Sequence, residues 1–240
     1  MNEAALPAQA LLKQQAGWLA PARARLLRRV GIARRRRVLD LACGRGAVTG
    51  ELVQRGSGTV VALDRARQAL CEDTGALAGA WRICGDATRL PFADDVFELV
   101  FCQLALMWLD ATAAVGEIRR VLCPGGVLVA VEPDYGGMIE HPPEIATCDL
   151  WLSALRRAGA DPHIGRKLPG LLADAGFRTR VDLLERLQSP SAARFDLLRG
   201  LPLTGAEKRS LRQIEAADGT CAEAGRVVHL PVFLITAELP

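Results

Sequence analysis

The sequence predicts an α/β fold in which a largely parallel sheet is covered by helices on both faces. Three observations point there. Short apolar runs, "RVLDLA", "GTVVALD", "AWRICGDA", "DVFELVFCQ" and "VLVAVEP", follow one another between residues 37 and 133. Continuous apolar runs suit strands buried on both faces. Helical patterns separate most of them: "GAVTGELVQRG", "RARQALCEDTGALAG" and "ATAAVGEIRRVLCPGG", the crossover helices that parallel strands require. The first run ends in a glycine turn, "DLACGRG", with Gly44 and Gly46 one residue apart. Such a turn lets a backbone approach a nucleotide-like ligand closely.

The flanking elements follow in order. Residues 5 to 30 read as an amphipathic helix, with Leu11, Leu12, Trp18, Leu19, Leu26 and Leu27 at helical spacing, a break around Pro21 and a stop at Gly31. After Pro133 the rhythm changes. "DYGGMIEHPPE" reads as a loop, and "IATCDLWLSALRRAGA" and "IGRKLPGLLADAGF" as helices. "RTRVDLLERL" and the final "RVVHLPVFLITAEL" read as two more strands, with a mixed helical stretch between them. No internal repeat or low-complexity linker interrupts the chain. The expected organisation is a single domain: an N-terminal helical cap over 1–36, a cofactor-binding core over 37–133, and a substrate-side segment over 134–240 that carries a late helical insertion.

Composition narrows the function classes. The chain has 240 residues, 50% hydrophobic and 24% charged, enough for one large core. No apolar stretch reaches the ~18 residues of a membrane span; "VFCQLALMWL" is halted by Asp110. The N-terminus lacks the cationic start of a secretory signal, so a soluble, cytoplasmic protein is expected. The seven cysteines form no CxxC pair, which argues against zinc and a disulfide framework. Net charge is only +3, yet "RARLLRRVGIARRRRV" concentrates arginine. Without interleaved aromatics, that stretch reads as a solvated helix face rather than a nucleic-acid surface.

Two nucleotide classes compete for the glycine turn. The dinucleotide fingerprint has a third glycine, and here Thr49 stands in its place. Asp64, twenty residues after Gly44 at the end of the second strand, can accept ribose hydroxyls from NAD or from any adenosine ligand. Asp86, in Gly85-Asp86-Ala87 after the third strand, can accept from an adenine amino group. The run "GDATRLPFADDVFELV" has no evident use in hydride transfer, which leaves an NAD-linked oxidoreductase as the alternative.

With these residues in place, the sequence resembles the class I S-adenosylmethionine-dependent methyltransferases, specifically the small-molecule group often labelled type 11. The resemblance is carried by "VLDLACGRG", "VVALD", "GDATRLPFADDVFELV" and "EIRRVLCPGGVLVAVEP" in that order. It implies a Rossmann-like seven-stranded sheet whose last strand, "LPVFLITAEL", runs antiparallel. It further implies S-adenosylmethionine as cofactor and S-adenosylhomocysteine as product. The methionine part would lie against Ala42, Gly44 and Gly46. Asp64 would hold the ribose, with Arg65 alongside the adenine, Asp86 and Ala87 at the adenine edge, and Gln103 beneath the sulfonium. Two positions depart from the family pattern: Ala42 stands where glycine is common, and Arg45 where a small or hydroxyl residue is frequent.

The acceptor is less legible, because methyl transfer from a sulfonium asks mainly for alignment. The Asn/Asp-Pro-Pro-aromatic run of base-amino methyltransferases is missing, and "FCQ" lacks the proline of the cytosine enzymes. A small-molecule acceptor is therefore expected, with no membrane and no metal, and a homodimer allowed. Glu132, Tyr135, His141 and His163 fall in loop-like contexts expected at the carboxyl ends of the strands, where such folds bind ligands; "EPDYGG" and "GADPHIGRKLPGLLADAGF" resemble segments of the same methyltransferase group, which implies Tyr135, His163 and Arg166 on the substrate side. Tyr135 and His163 are the catalytic candidates. Trp18, Tyr135, His141 and Arg166 are the substrate-side candidates, Trp18 as part of a closing helix. His229 is expected inside the last strand, in a structural role. A nucleic-acid or protein methyltransferase using the arginine cluster, and a cofactor-binding regulator without turnover, are the remaining alternatives.

Overall fold

Strand β1 (Arg37–Leu41) is buried from Val38 onward and lies inside the sheet, with a parallel neighbour on each side. The computed structural model describes residues 9–72, 75–184, 191–222 and 225–240. Strands β2 (Thr59–Asp64), β3 (Ala80–Cys84), β4 (Phe97–Gln103), β5 (Leu122–Pro133), β7 (Arg178–Leu183) and β9 (Val232–Glu238) complete the main sheet, in the order β3-β2-β1-β4-β5-β9-β7. The first five strands pair in parallel, and β9 runs antiparallel to both β5 and β7. The seven strands and the antiparallel last strand agree with the expectation from sequence.

Each central strand divides its side chains between the two faces, as a pleat of period two demands. Val38, Leu99 and Val129 join the helix α1 (Gln9–Arg29) residues Leu19, Ala22 and Leu26. Leu39, Val100 and Leu128 face α4 (Ala111–Val121) through Val115 and Ile118, and α6 (Ile164–Asp174) through Leu168 and Leu172. Burying one such leucine contributes about 1.5–3 kcal/mol, so α1 is a covering layer of the sheet. The break expected at Pro21 does not occur: α1 continues through it. An interior proline costs about 3 kcal/mol, and buried residues on both sides of it, Leu19 and Ala22 among them, hold the halves in line.

The connections are α2 (Thr49–Arg55) and the short α3 (Arg67–Cys71). Of the helix expected over "RARQALCEDTGALAG", only Arg67–Cys71 is helical among the described residues. Beyond β5 the chain builds the insertion from α5 (Cys148–Arg157), α6, α7 (Ala193–Arg199) and α8 (Gly205–Thr220). Helix α8 starts with a capping box between Thr204 and Glu207. The segment expected to be a loop contains β6 (Ile139–His141), which pairs with β8 (Val227–His229) in a second, two-stranded sheet. His229 is therefore in β8 and not in the last strand. Pro231 separates the two, since proline cannot donate to a ladder.

Candidate functional site

The chain order reverses between β1 and β4: β2 and β3 extend the sheet one way, and β5 the other. In open α/β sheets the crevice at such a switch point, outside the carboxyl ends of the strands, is where ligands bind. The residues that open onto it here are the turn after β1, Asp64 at the end of β2 and Gln103 at the end of β4.

The turn is built on left-handed backbone. Ala42, Gly44 and Gly46 have φ of 55°, 53° and 76°. The two glycines serve different ends. A Cβ on Gly46 would lie 2.7 Å from the Leu77 side chain and 3.1 Å from the Ala76 backbone, whereas one on Gly44 would meet nothing within 4 Å. Gly46 is small because protein packs on it; Gly44 leaves an open cradle beside a carboxylate. A Gly46→Ala change should lower stability by about 2–4 kcal/mol, from left-handed strain and overpacking combined, read as a shift in the denaturation midpoint.

Asp64 is buried, 8% exposed. Its Oδ2 accepts from the Gly44 N–H at 2.7 Å and its Oδ1 from the Ala66 N–H at 2.8 Å. The carboxylate thus ties the β1 turn to the end of β2, and each oxygen keeps a further lone pair for a hydroxyl donor. Arg65 is exposed next to it. Asp86 is exposed, and its Oδ1 accepts from Thr88 N at 2.8 Å and Thr88 Oγ1 at 2.7 Å, which holds its carboxyl below the usual range. Ala87 is buried beside it. These residues place a buried carboxylate with acceptor capacity to spare, a second, exposed carboxylate and an open glycine cradle around the crevice.

Thr49, in place of a third glycine, has its own task. Its hydroxyl donates to Asp40 Oδ2 at 2.6 Å, beneath the turn. Burial drives the Asp40 carboxyl up to about 7, with Asp64 adding to the rise and the Thr49 bond opposing it. Gln103 is bonded from an unexpected side. Arg23 on α1, 3% exposed, donates to Gln103 Oε1 at 2.9 Å, to the Ala16 carbonyl at 3.0 Å and to Glu51 of α2. This corrects the view of the arginine stretch as a wholly solvated face. Trp18 is half-buried on the same part of α1.

Glu132 is fully buried at the end of β5. Its Oε1 accepts the N–H groups of Ala105 at 3.0 Å and Leu106 at 2.9 Å, while Oε2 has no partner. Burial raises this carboxyl to about 7 against those hydrogen bonds. It clamps the segment after β4, in which Leu104 has a positive φ of 56°. Neighbouring Cys102 is buried, and desolvation with the Glu132 charge holds its thiol well above the usual value, which leaves no thiolate for nucleophilic work.

Tyr135 is buried, its ring 4.8 Å from that of Trp151, and burial pushes its hydroxyl pKa up. His163 precedes α6. Its Nε2 lies 3.0 Å from Arg156 Nη2, a donor, and its Nδ1 lies 3.6 Å from Asp134 Oδ1. Arg166 is half-exposed and pairs with Asp134, which is buried. The turn at Tyr135, His163 and Arg166 thus come together around Asp134. His141 does not join them: it is exposed on β6. Its neighbour Glu140 caps α5, accepting from Thr147 N and Cys148 N.

Sequence reasoning missed the roles of Arg23, Asp40 and Thr49. The signal for Thr49 was present as a departure from the fingerprint; Arg23 was hidden among exposed arginines.

A family model described as a methyltransferase domain matches residues 39–130. Mouse "Arginine-hydroxylase NDUFAF5, mitochondrial" is 31% identical over 170 residues, covering 68% of this chain and 48% of the relative. A demethylmenaquinone methyltransferase of Mycolicibacterium paratuberculosis is 43% identical over 104 residues, covering 43% of this chain and 44% of the relative. The chain thus spans about half the length of the curated relatives it matches. In structure it is similar to geranyl diphosphate C-methyltransferase from Streptomyces coelicolor, solved with geranyl diphosphate and S-adenosylhomocysteine. The TM-score is 0.60 at 15% identity, covering 92% of this chain and 77% of the other.

Proposed function

Since the chain belongs to the class I S-adenosylmethionine-dependent methyltransferases, we propose that it transfers a methyl group to a small-molecule acceptor by in-line displacement. The observation that carries this reading is the Gly44 cradle beside buried Asp64 at the switch point of the sheet. In this reading Ala42, Gly44 and Gly46 face the methionine part of the cofactor, Asp64 takes the ribose hydroxyls, Arg65 flanks the adenine, and Asp86 and Ala87 meet its edge. When bound, S-adenosylmethionine supplies an activated sulfonium methyl group. The protein's work is then alignment, which can supply about 7–11 kcal/mol of the barrier.

Gln103, oriented by Arg23, lies under the reacting end, and α1 with Trp18 excludes water there. Tyr135 with Trp151 forms an aromatic wall for the acceptor, and Arg166 orients it from the Asp134 cluster. His163 spends Nε2 on Arg156 and Tyr135 holds its proton tightly. Both therefore position the acceptor, and an acceptor that loses its proton before or without enzyme help suits the site best. The whole chain acts as one domain on a small metabolite. The hydroxylation named for the mouse relative belongs to that protein; only its matching segment bears on this one.

Titration calorimetry tests the reading directly. S-adenosylhomocysteine should bind in the micromolar range with one site per chain, and NADH should release no binding heat. The opposite pattern would return the glycine turn to hydride-transfer chemistry.

A further inference from the structure

Outside the crevice, the insertion holds a buried cluster with more positive than negative charge. Arg194, near the start of α7, is 7% exposed and donates from Nη2 to Asp218 Oδ1 on α8 at 2.7 Å. Arg226, just before β8, reaches the same carboxylate, Nη1 to Oδ2, at 3.3 Å, and donates to the Asp218 carbonyl. Asp218 is itself 7% exposed. Arg194 Nε and Nη1 and Arg226 Nε are buried without any acceptor. The Phe195 ring lies 4.3 Å from the Arg194 guanidinium carbon, which eases its burial and supplies no hydrogen-bond acceptor. Among the described residues, two guanidinium groups thus share one carboxylate.

A buried charge left uncompensated costs several kcal/mol, and each buried unpaired donor adds its own desolvation penalty. Unpaired arginine N–H groups in a fixed plane match the oxygens of a carboxylate or phosphate. The location is also informative. Helix α7 packs on α5 and α8, and α5 packs on the turn at 135–137 that follows β5. Phe195 shares one apolar cluster with Tyr135 and Trp151. The arginine pair therefore stands in the layer that covers the aromatic wall.

We propose that Arg194, with Arg226, binds an oxyanion carried by the methyl acceptor, and that Asp218 holds the two guanidinium groups in place for it. This substrate class, a small molecule with a carboxylate or phosphate at one end, rests on the methyltransferase reading above. The donors lie beneath the surface, so the anion reaches them as α7 shifts away from α5, on which it packs. Nothing is transferred at this site: it anchors the acceptor's far end, and the anchored end fixes which atom meets the methyl group.

The test is thermal unfolding of the full chain, with S-adenosylhomocysteine present, titrated with inorganic pyrophosphate, inorganic phosphate or succinate against chloride at matched ionic strength. The expected result is a saturable rise of about 3–6 °C for at least one oxyanion, corresponding to a roughly tenfold bias toward the bound state. The stronger of phosphate and succinate identifies the group the acceptor carries. Arg194→Met should abolish the rise while leaving S-adenosylhomocysteine affinity unchanged. Should that variant fail to fold, Arg226→Gln takes its place, and a tenfold weaker response is expected. Absence of a saturable rise, or an equal rise in the variant, overturns the proposal. If S-adenosylhomocysteine binds but no anion does, only the anion site falls. If the anion response stands without S-adenosylhomocysteine binding, the methyltransferase reading falls instead.

Discussion

Replacing Asp64 by alanine is expected to weaken S-adenosylhomocysteine binding about 100-fold or more, measured by titration calorimetry. In the proposed complex the ribose hydroxyls donate to a carboxylate, and charge-assisted hydrogen bonds contribute about 1.5–3 kcal/mol each. The carboxylate is also prepared for them: the Gly44 and Ala66 N–H groups fix both oxygens before a ligand arrives. Alanine removes the acceptors and frees the Gly44 N–H, so the cradle loses its shape along with its charge. Asp64→Asn should fall between, because one amide end presents a donor where the backbone already donates. Circular dichroism separates loss of fold from loss of site. A folded Asp64→Ala protein with unchanged affinity would place the ribose elsewhere.

The second large effect concerns stability. Glu132→Ala should cost about 3–5 kcal/mol in chemical denaturation, since it strands the Ala105 and Leu106 N–H groups and leaves a cavity at the end of β5. Glu132→Gln keeps an acceptor for both and should cost far less. The pair also predicts a pH signature. The Glu132 carboxyl titrates near 7 in the folded chain against 4.5 for an ordinary glutamate, mainly through burial. A raised acid pKa favours the protonated folded state. The stabilisation is therefore complete below about pH 4.5 and is lost as pH rises through 7. Asp40 behaves alike, for the same leading cause. Wild-type stability should decline between about pH 5 and 8, and Glu132→Gln should flatten that decline by about 2 kcal/mol. An identical pH profile in both proteins would show that Glu132 does not titrate in this range.

The sheet and the crevice were readable from sequence because both leave local traces. The buried strands write themselves as apolar runs. The turn after β1 needs left-handed backbone, so it shows as Gly44 and Gly46, and Asp64 stands at the end of its strand. What escaped depends on contacts between distant parts of the chain. Arg23 and Gln103 are 80 residues apart, and nothing local separates Arg23 from its exposed neighbours. The β6–β8 pair joins segments that read as a loop and as part of one long strand, because three-residue strands carry too little periodicity. The Asp218 cluster unites α7, α8 and the start of β8 in the same hidden way. Pro21 was readable and misleading: propensity predicted a break, and burial on both sides of it prevailed.

The position of β9 has a consequence for how the chain is made. It is the final strand in sequence but lies between β5 and β7 in the sheet. During synthesis the first five strands can pair among themselves, while β7 emerges with no neighbour to join. Until β9 leaves the ribosome, one edge of β5 is open and β7 waits unpaired, two edges prone to pairing with other chains. A chain cut before β9 therefore exposes sticky edges, and a chain that carries β9 closes both with one strand.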